Sequence, residues 1–166
     1  MNVLVAGGAG YIGSHAVKML CDHGHRVAAV DNLYRGHAVA VDERATFVEA
    51  DLAETDKLIK ALDEFDVDCV MHFAALAYVG ESVDEPLHYY DKNTAGTISL
   101  LKAMDAVNVP RMVFSSTCAT YGEPERMPIV ETMPQRPINP YGWSKLFVEQ
   151  ILKDYLASKD GFAFAA

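Results

Sequence analysis

Short apolar runs alternate along the chain with longer segments in which apolar residues recur at helical spacing. The short runs predict strands over residues 2–7, 26–31, 45–51, 68–75, 111–116 and 162–166. The periodic segments predict helices over residues 12–24, 55–65, 84–107 and 141–159, the third broken or bent near Pro86 and the last with Pro140 in its first turn. Strands that alternate with helices indicate an α/β fold, a doubly wound parallel sheet with helices on both faces.

The size and charge of the chain limit what it binds. With 166 residues, 51% of them hydrophobic, we expect one domain over residues 1–166 with its own core. A net charge of −9 argues against nucleic acid as a partner, because phosphate backbones attract basic clusters. No apolar run reaches the ~18–20 residues of a membrane span, and "MNVLVAGG" lacks the basic flank of a signal peptide. Three cysteines without CxxC spacing, Cys21, Cys69 and Cys118, fit a reducing cytoplasm and predict no metal site.

A glycine-rich loop, "AGGAGYIGS", joins the first predicted strand to the first predicted helix. Its Gly7, Gly10 and Gly13 have the spacing GxxGxxG. A tight turn needs positive φ, and a pyrophosphate can approach the backbone only where no Cβ atom intervenes. The N-terminus of the helix then offers free N–H groups to the anion. Because a strand precedes this triplet and a helix follows it, the loop indicates a Rossmann-like dinucleotide site more than a purely structural turn.

Two acidic residues end the second and third predicted strands. Asp31 can accept hydrogen bonds from an adenosine ribose and would repel a 2′-phosphate, which favours NAD over NADP, although Arg35 could pair with such a phosphate. Asp51 can reach an adenine amino group. A turn or helix-capping role is the alternative for either carboxylate. The small residues of "HFAA" (72–75) leave room for a ligand at the carboxyl edge of the sheet, or simply pack in the core.

A tyrosine and a lysine in "NPYGWSK" lie four residues apart, on one face of the last predicted helix. An ammonium group near a phenol favours the phenolate, so Tyr141 beside Lys145 can act as a general base. The alternative is an exposed helix with a solvated lysine. Ser115, Ser116 and Thr117 place hydroxyls at the end of the fifth predicted strand, where one could bond a reacting oxygen and relay its proton, or could only stabilise a turn.

These features, in this order, resemble the extended short-chain dehydrogenase/reductase family, and within it the UDP-glucose 4-epimerases (UDP-galactose 4-epimerases). The resemblance runs along the whole chain, through "GGAGYIGSH", "DNLYRG", "HFAALAYVGESV", "YYDKNTAGT", "FSSTCATYGEP" and "NPYGWSKLFVEQIL". It implies an isomerase of galactose metabolism that holds NAD and takes a nucleotide sugar, UDP-glucose or UDP-galactose. Such enzymes oxidise the sugar C4 hydroxyl, let the 4-ketose turn over, and return the hydride to its other face.

The resemblance also implies roles for individual residues. Tyr141 would be the catalytic base, Lys145 its partner, and Thr117 the hydroxyl that relays the proton. The cofactor would contact the glycine loop, the segments after the second, third and fourth strands, the long helix and the Tyr–Lys pair. Those residues are Gly7, Gly10, Tyr11, Ile12, Gly13, Asp31, Asn32, Leu33, Tyr34, Arg35, Gly36, Asp51, Leu52, Phe73, Ala74, Ala75, Leu76, Asn93, Tyr141 and Lys145.

The chain departs from the family pattern at a few positions. Ala77 stands where some members have lysine, and Lys92 where some have asparagine. Cys118 and Ala119 replace the Asp-Glu pair that nucleotide-sugar dehydratases carry after the threonine, which argues against water elimination. UDP-glucuronate epimerases and decarboxylases stay open as alternatives.

Members of the family run to about twice this length, so we expect the domain that supplies most nucleotide-sugar contacts to be absent from this chain. Three functions therefore stay open: an epimerase, an NAD-binding module without turnover, and an interaction subunit that pairs through its last strand, with a partner or as a homo-oligomer.

Overall fold

The computed structural model describes all 166 residues and contains one sheet of six parallel strands. The strands are β1 (Asn2–Ala6), β2 (Arg26–Asp31), β3 (Thr46–Glu49), β4 (Cys69–His72), β5 (Arg111–Phe114) and β6 (Ala163–Ala165). Their order across the sheet is β3-β2-β1-β4-β5-β6. All six predicted strands are present, and the predicted α/β fold class is confirmed.

Most strands are shorter than predicted, because the chain turns away at the carboxyl edge of the sheet. β4 ends at His72 and not at Ala75: the N–H groups of Phe73 and Ala74 both donate to the carbonyl of Ala6, which ends the regular ladder. β3 likewise ends at Glu49, and β5 at Phe114. The polar residues that follow these strands therefore lie on loops at one edge.

Helices cover both faces of the sheet. They are α1 (Tyr11–Asp22), α2 (Thr55–Glu64), α3 (Val79–Asp84), α4 (Pro86–Tyr89), α5 (Gly96–Ala106) and α6 (Pro140–Ser158). A π-helical segment, Tyr90–Ala95, joins α4 to α5, and 3₁₀ turns form at Ala38–Ala40 and Cys118–Tyr121. None of the helices is both long enough and apolar enough to cross a membrane.

The structure corrects the prediction of one helix, broken or bent near Pro86, over residues 84–107. The break near Pro86 is present, but it separates two helices, because Glu85 (φ −125°, ψ 57°) leaves the helical region and Pro86 starts a new helix at N1. The segment before the break forms α3, which the sequence did not predict. From Pro86 to Ala106 the chain is helical throughout, with the π-helical segment in its middle.

The core consists of two apolar clusters, one on each face of the sheet. Alternate residues of β1 divide between them: Leu4 lies in the larger cluster, and Val3 and Val5 in the smaller. Helix α1 contributes Val17 to the smaller cluster. Helices α2, α5 and α6 contribute to the larger one, with Leu58, Leu62, Leu100, Met104, Val148 and Leu152.

The strand order reverses direction at β1, which pairs with β2 on one side and with β4 on the other. In open parallel sheets the crevice at such a reversal, outside the carboxyl ends of the strands, is where ligands bind. The glycine loop after β1 and the segments after β2, β3 and β4 all meet there.

Candidate functional site

A cleft of about 510 Å³ opens at this carboxyl edge, a volume within the range of small-molecule sites. It lies between the glycine loop, the segments that follow β2, β3 and β4, and the start of the π-helical segment. Sixteen of the residues predicted to bind a cofactor line it: Gly7, Gly10, Tyr11, Ile12, Gly13, Asp31, Asn32, Tyr34, Arg35, Gly36, Asp51, Leu52, Phe73, Ala74, Ala75 and Leu76.

Five predicted site residues lie outside the lining of this cleft. Leu33 contributes a backbone N–H to Asp31 from a left-handed conformation (φ 59°). Asn93 is buried behind the cleft wall. Thr117 lies after β5, and Tyr141 and Lys145 lie at the start of α6, where Lys145 Nζ bonds the carbonyl of Ser115.

Close packing explains why the glycine loop needs its glycines. Gly7 has φ +80°, and a Cβ there would come within 2.5 Å of the backbone nitrogen of Ala74. A Cβ on Gly13 would lie 1.9 Å from the carbonyl oxygen of Gly7. Gly10 differs, because its Cβ would meet only that oxygen, at 3.3 Å, while the residue lines the cleft. Two of the glycines are therefore required by the fold itself, and the third mainly keeps the cleft clear.

The N-terminus of α1 has the features of an anion-binding site. Gly10 is its N-cap, without a side-chain cap, and no acidic residue occupies the first turn. The backbone N–H groups at the start of a helix have no partner within the helix, and the helix dipole favours negative charge there. Tyr11 and Ile12 are exposed beside the cleft, at 84% and 58%. A glycine cradle with uncapped N–H groups fits a pyrophosphate.

Asp31 is anchored within the loop and still able to bind a ligand. Its Oδ2 accepts from the N–H of Ala9 at 3.1 Å, and its Oδ1 accepts from the N–H of Leu33 at 2.8 Å. Each carboxylate oxygen keeps a free lone pair for ribose hydroxyls. A Cβ on Gly36 would come within 2.8 Å of Oδ1, so this glycine lets the loop close on the carboxylate. The turn role and the ligand role are therefore compatible.

Asp51 is surrounded by donors. Its Oδ2 accepts from Asn32 Nδ2 at 2.7 Å and from Lys92 Nζ at 3.3 Å, and its Oδ1 accepts from the N–H of Ala53 at 2.9 Å. Partial burial opposes ionisation, but these hydrogen bonds outweigh it and hold the pKa of Asp51 below its usual value. The N-cap of α2 is Glu54, so Asp51 stabilises a turn and is not the cap. Its Oδ1 retains a lone pair that an adenine amino group could use.

Lys145 is buried and not solvated: the alternative drawn from the sequence is wrong for this residue. Only 3% of its surface is exposed. Its Nζ donates to the carbonyl of Ser115 at 2.9 Å and lies 4.6 Å from the centre of the Phe114 ring. Burial lowers the pKa of Lys145 to about 8. Holding a charge in such a place costs free energy, which is typical of functional sites.

The tyrosine of the pair is positioned by the first turn of α6. Asn139 caps the helix by accepting from the N–H of Gly142 at 2.8 Å, and Pro140 occupies the first helical position. The ring of Tyr141 packs edge-on against the buried Tyr89, with 6.4 Å between centroids. The helix places Tyr141 one turn before Lys145, on the same face.

Two hydroxyls that follow β5, those of Ser116 and Thr117, differ in their hydrogen bonds. Ser116 donates to the carboxylate of Glu149, so its proton is committed. Thr117 Oγ1 accepts from the N–H of Ala119 at 3.1 Å, which caps the 3₁₀ turn and leaves the hydroxyl proton without an acceptor in the chain. The turn-stabilising role of Thr117 is therefore present, and the same geometry leaves its proton available.

Asn93 links the cleft wall to α6. Its amide bonds both backbone groups of Leu76, accepting at 2.8 Å and donating at 3.0 Å. Its Nδ2 also donates to Ser144 Oγ at 3.0 Å, and that hydroxyl donates to the carbonyl of Tyr141 at 2.7 Å. The side chain thereby supports the site from the π-helical segment, without lining the cleft.

Five residues that line the cleft were not predicted: Val30, Ala50, Tyr78, His88 and Lys92. Val30 and Ala50 directly precede Asp31 and Asp51, so their position follows from the strand ends. Tyr78 is the N-cap of α3, and His88 and Lys92 lie on α4 and the π-helical segment. Tyr78 and Lys92 fall within stretches that carry the family resemblance, but none of the three was assigned a ligand. Their contribution depends on how those segments fold back toward the loop after β2.

Comparison with known proteins agrees with this geometry. Residues 3–166 match the NAD dependent epimerase/dehydratase family. The chain is 50% identical to the UDP-glucose 4-epimerase of Lactobacillus helveticus, over all of this chain and 50% of that protein. It is 48% identical to the probable UDP-arabinose 4-epimerase 3 of Arabidopsis thaliana, over 96% of this chain and 41% of that protein.

Solved structures extend the comparison to the fold. The crystal structure of the Brucella ovis UDP-glucose 4-epimerase in complex with NAD superposes with a TM-score of 0.94 at 47% identity, over 98% of this chain and 50% of that one. The chain spans about half the length of the relatives it matches. On sequence and fold together, the chain belongs to the NAD dependent epimerase/dehydratase family.

Proposed function

We propose that the chain is the NAD-binding and catalytic part of a nucleotide-sugar 4-epimerase that interconverts UDP-glucose and UDP-galactose through a 4-keto intermediate. The observation that carries the proposal is the buried Lys145, which a purely structural helix would leave in solvent. Its ammonium bonds the carbonyl of Ser115, two residues before Thr117. The names of the relatives, UDP-glucose and UDP-arabinose 4-epimerases, support the class of substrate.

The cleft residues would hold NAD, which when bound supplies the hydride acceptor. The N–H groups at the start of α1 bind the pyrophosphate, and Gly10 gives it room. Asp31 accepts from the ribose hydroxyls and Asp51 from the adenine amino group. Both carboxylates have the free lone pairs that this requires.

The residues after β5 and on α6 would move the proton. Tyr141 accepts the proton of the C4 hydroxyl as general base. Thr117, whose hydroxyl proton has no acceptor in the chain, relays that proton by accepting it from the sugar oxygen and passing its own to Tyr141. Lys145 lies one helical turn from Tyr141 on the same face of α6, where its ammonium supplies a positive charge beside the base. Because the pKa of Lys145 is about 8, the ammonium is held at neutral pH and lost in mild alkali, so turnover should fall above about pH 8.

The test is an assay of the purified chain with NAD and UDP-galactose, with UDP-glucose separated from the mixture by chromatography. We expect conversion by the wild type and none by Tyr141→Phe, with NAD still bound to the variant. A Tyr121→Phe variant is a matched control on a neighbouring turn and should keep turnover. Equal turnover by wild type and Tyr141→Phe would contradict the assigned base.

A second candidate function is an NAD-binding module without turnover. The observation that favours it is that the chain spans about half the length of its relatives, so nucleotide-sugar contacts made by the remainder would be missing. NAD binding without conversion of either sugar would support this candidate over the first.

We also propose a cytoplasmic location and self-association. Support for the first is that the three cysteines are free thiols, as a reducing compartment would keep them. Sedimentation of the purified chain over a range of concentrations measures the second. A single species at the mass of one chain would contradict self-association.

A further inference from the structure

Arg35 lies on the loop after β2, four residues beyond Asp31, and both line the cleft. In dinucleotide-binding folds the residues just after this strand read the 2′ position of the adenosine ribose: a carboxylate accepts the hydroxyl of NAD, and an arginine accommodates the phosphate of NADP. This loop carries one residue of each kind. The position of the guanidinium therefore matters for the choice of cofactor.

Contacts with residues at the start of α3 hold the guanidinium of Arg35 away from the position where it would bind a 2′-phosphate. Its Nη2 donates to Glu81 Oε1 on α3 at 2.6 Å. Its Cζ lies over the ring of Tyr78, 4.0 Å from the centroid, in a cation–π contact. An ion pair and an aromatic face thus fix the group on the α3 side of the cleft.

Glu81 is itself fixed in place. Its Oε2 accepts from the hydroxyl of Tyr89 at 2.6 Å, and Tyr89 is fully buried. The same hydroxyl accepts from the N–H of Tyr78 at 3.0 Å, and its oxygen lies 2.8 Å from the carbonyl oxygen of Tyr78, which shares the one hydroxyl proton with the carboxylate. The carboxylate therefore has a rigid support, while the arginine it holds belongs to a surface loop.

We propose that Glu81 determines cofactor choice: by holding Arg35 against Tyr78 it withholds the guanidinium from a ribose 2′-phosphate, and so favours NAD over NADP. This inference rests on the proposed function of the cleft as a dinucleotide site. Asp31 disfavours the phosphate by direct repulsion, whereas Glu81 acts through the arginine that would otherwise neutralise it.

Two effects act in the same direction when the carboxylate is neutralised. Glu81→Gln frees a guanidinium that can bind a phosphate with two charge-assisted hydrogen bonds, and it removes one negative charge from the cleft. The ion pair is about one-third exposed, at 35% for Arg35 and 29% for Glu81, so the fold does not depend on it, and the stacking on Tyr78 adds to the hold on the guanidinium. We expect the affinity for NADP, relative to NADH, to rise about tenfold.

The test measures both dinucleotides in one experiment. NADH binding to the purified chain is followed by its fluorescence, and NADP is then added to displace it. Glu64→Gln is the matched control: it removes the same charge from an exposed glutamate on α2, which lies 3.7 Å from Lys60. Circular dichroism and thermal unfolding check that each variant folds.

Arg35 supplies the decisive variants. Arg35→Met alone should change the ratio of NADP to NADH affinity by less than about twofold, because the wild-type guanidinium is withheld. Glu81→Gln should raise the NADP preference about tenfold, and the Arg35→Met/Glu81→Gln double variant should lose most of that gain, keeping only the part that comes from the removed charge. Glu64→Gln should change nothing.

Specific results would overturn the inference. A selective loss of NADP affinity in Arg35→Met would show that Arg35 already serves the phosphate, and this arm does not depend on how Glu81→Gln folds. An unchanged preference in Glu81→Gln, or a gain that survives in full in the double variant, would also refute it. If the wild type binds NADH but Glu81→Gln does not alter the NADP preference, the inference is refuted and the proposed function stands. If the wild type binds neither dinucleotide, the inference and the proposed function are both refuted.

Discussion

Lys145 should destabilise the fold that contains it. Burial lowers the pKa of its ammonium from the ordinary 10.5 to about 8, and a difference of this size corresponds to roughly 3 kcal/mol. Because the folded pKa lies below the unfolded one, the cost is fully present below about pH 8. It is relieved as the pH rises toward 10.5, where the unfolded chain also loses the proton. The stability of the wild type should therefore gain roughly 3 kcal/mol from this group across that interval.

Lys145→Met isolates the effect. Methionine fills a similar volume without charge, but it leaves the carbonyl of Ser115 without its donor, which costs about 1–3 kcal/mol at every pH. At pH 7 the two changes nearly offset each other, and we expect the variant to be at most about 2 kcal/mol more stable than wild type. The pH dependence is therefore the more reliable signature, because the loss at Ser115 does not vary with pH.

Urea unfolding of the apo chain provides the assay, with the fluorescence of Trp143, the only tryptophan, as the probe. The free energy of unfolding of wild type minus that of Lys145→Met should increase by roughly 3 kcal/mol between about pH 7 and pH 10. Groups common to both proteins cancel in this difference. Lys153→Met, an exposed position on the same helix, should follow the wild type at both values. A difference that is flat with pH would refute the reasoning.

Three further predictions concern residues that support the site. His72 is buried, and burial, assisted by a nearby lysine charge, lowers its pKa from 6.5 to about 3. Because the unfolded chain takes up the proton first, stability should fall below about pH 6.5 by about 1.4 kcal/mol per pH unit. His72→Gln should remove this contribution to the slope in urea titrations. Asn93→Leu leaves both backbone groups of Leu76 unpaired and should lower the free energy of unfolding by about 2–5 kcal/mol in the same assay; a loss below about 0.5 kcal/mol would contradict this. Gly13→Ala places a Cβ 1.9 Å from a backbone oxygen and should cost at least about 2 kcal/mol, measured as a lower Tm, whereas an unchanged Tm would refute the clash.

The strands and most helices were predictable because their patterns are local. β1 and β2 are continuous apolar runs, as expected for parallel strands buried on both faces. Helix α3 was missed because six residues are too few to show a helical period. The π-helical segment leaves no signature in the sequence, since its residues read as one helix with α4 and α5. Boundaries and irregularities are decided by contacts that residue patterns do not record.

The candidate site also has parts that the sequence predicts and parts that it does not. The glycine loop and Asp31 were predictable because spacing and position carry their geometry. The burial of Lys145 was not, because it depends on Ser115, thirty residues away in the chain. The pair of Arg35 and Glu81 joins residues 46 positions apart, so the sequence left open whether the arginine is free to pair with a 2′-phosphate. Long-range contacts therefore decide which of two locally reasonable interpretations the structure adopts.

Native mass spectrometry of the purified chain with added NAD, beside Gly10→Ala, tests the central claim most directly. Because a Cβ on Gly10 would meet only one backbone oxygen, at 3.3 Å, the variant should keep its stability within about 1 kcal/mol. We predict one NAD bound per wild-type chain and an affinity lower by at least about tenfold in Gly10→Ala, because the methyl group would occupy the approach of the pyrophosphate. A wild-type chain that never takes up NAD, or a variant that binds it equally well, would contradict the assignment of this cleft as the NAD site.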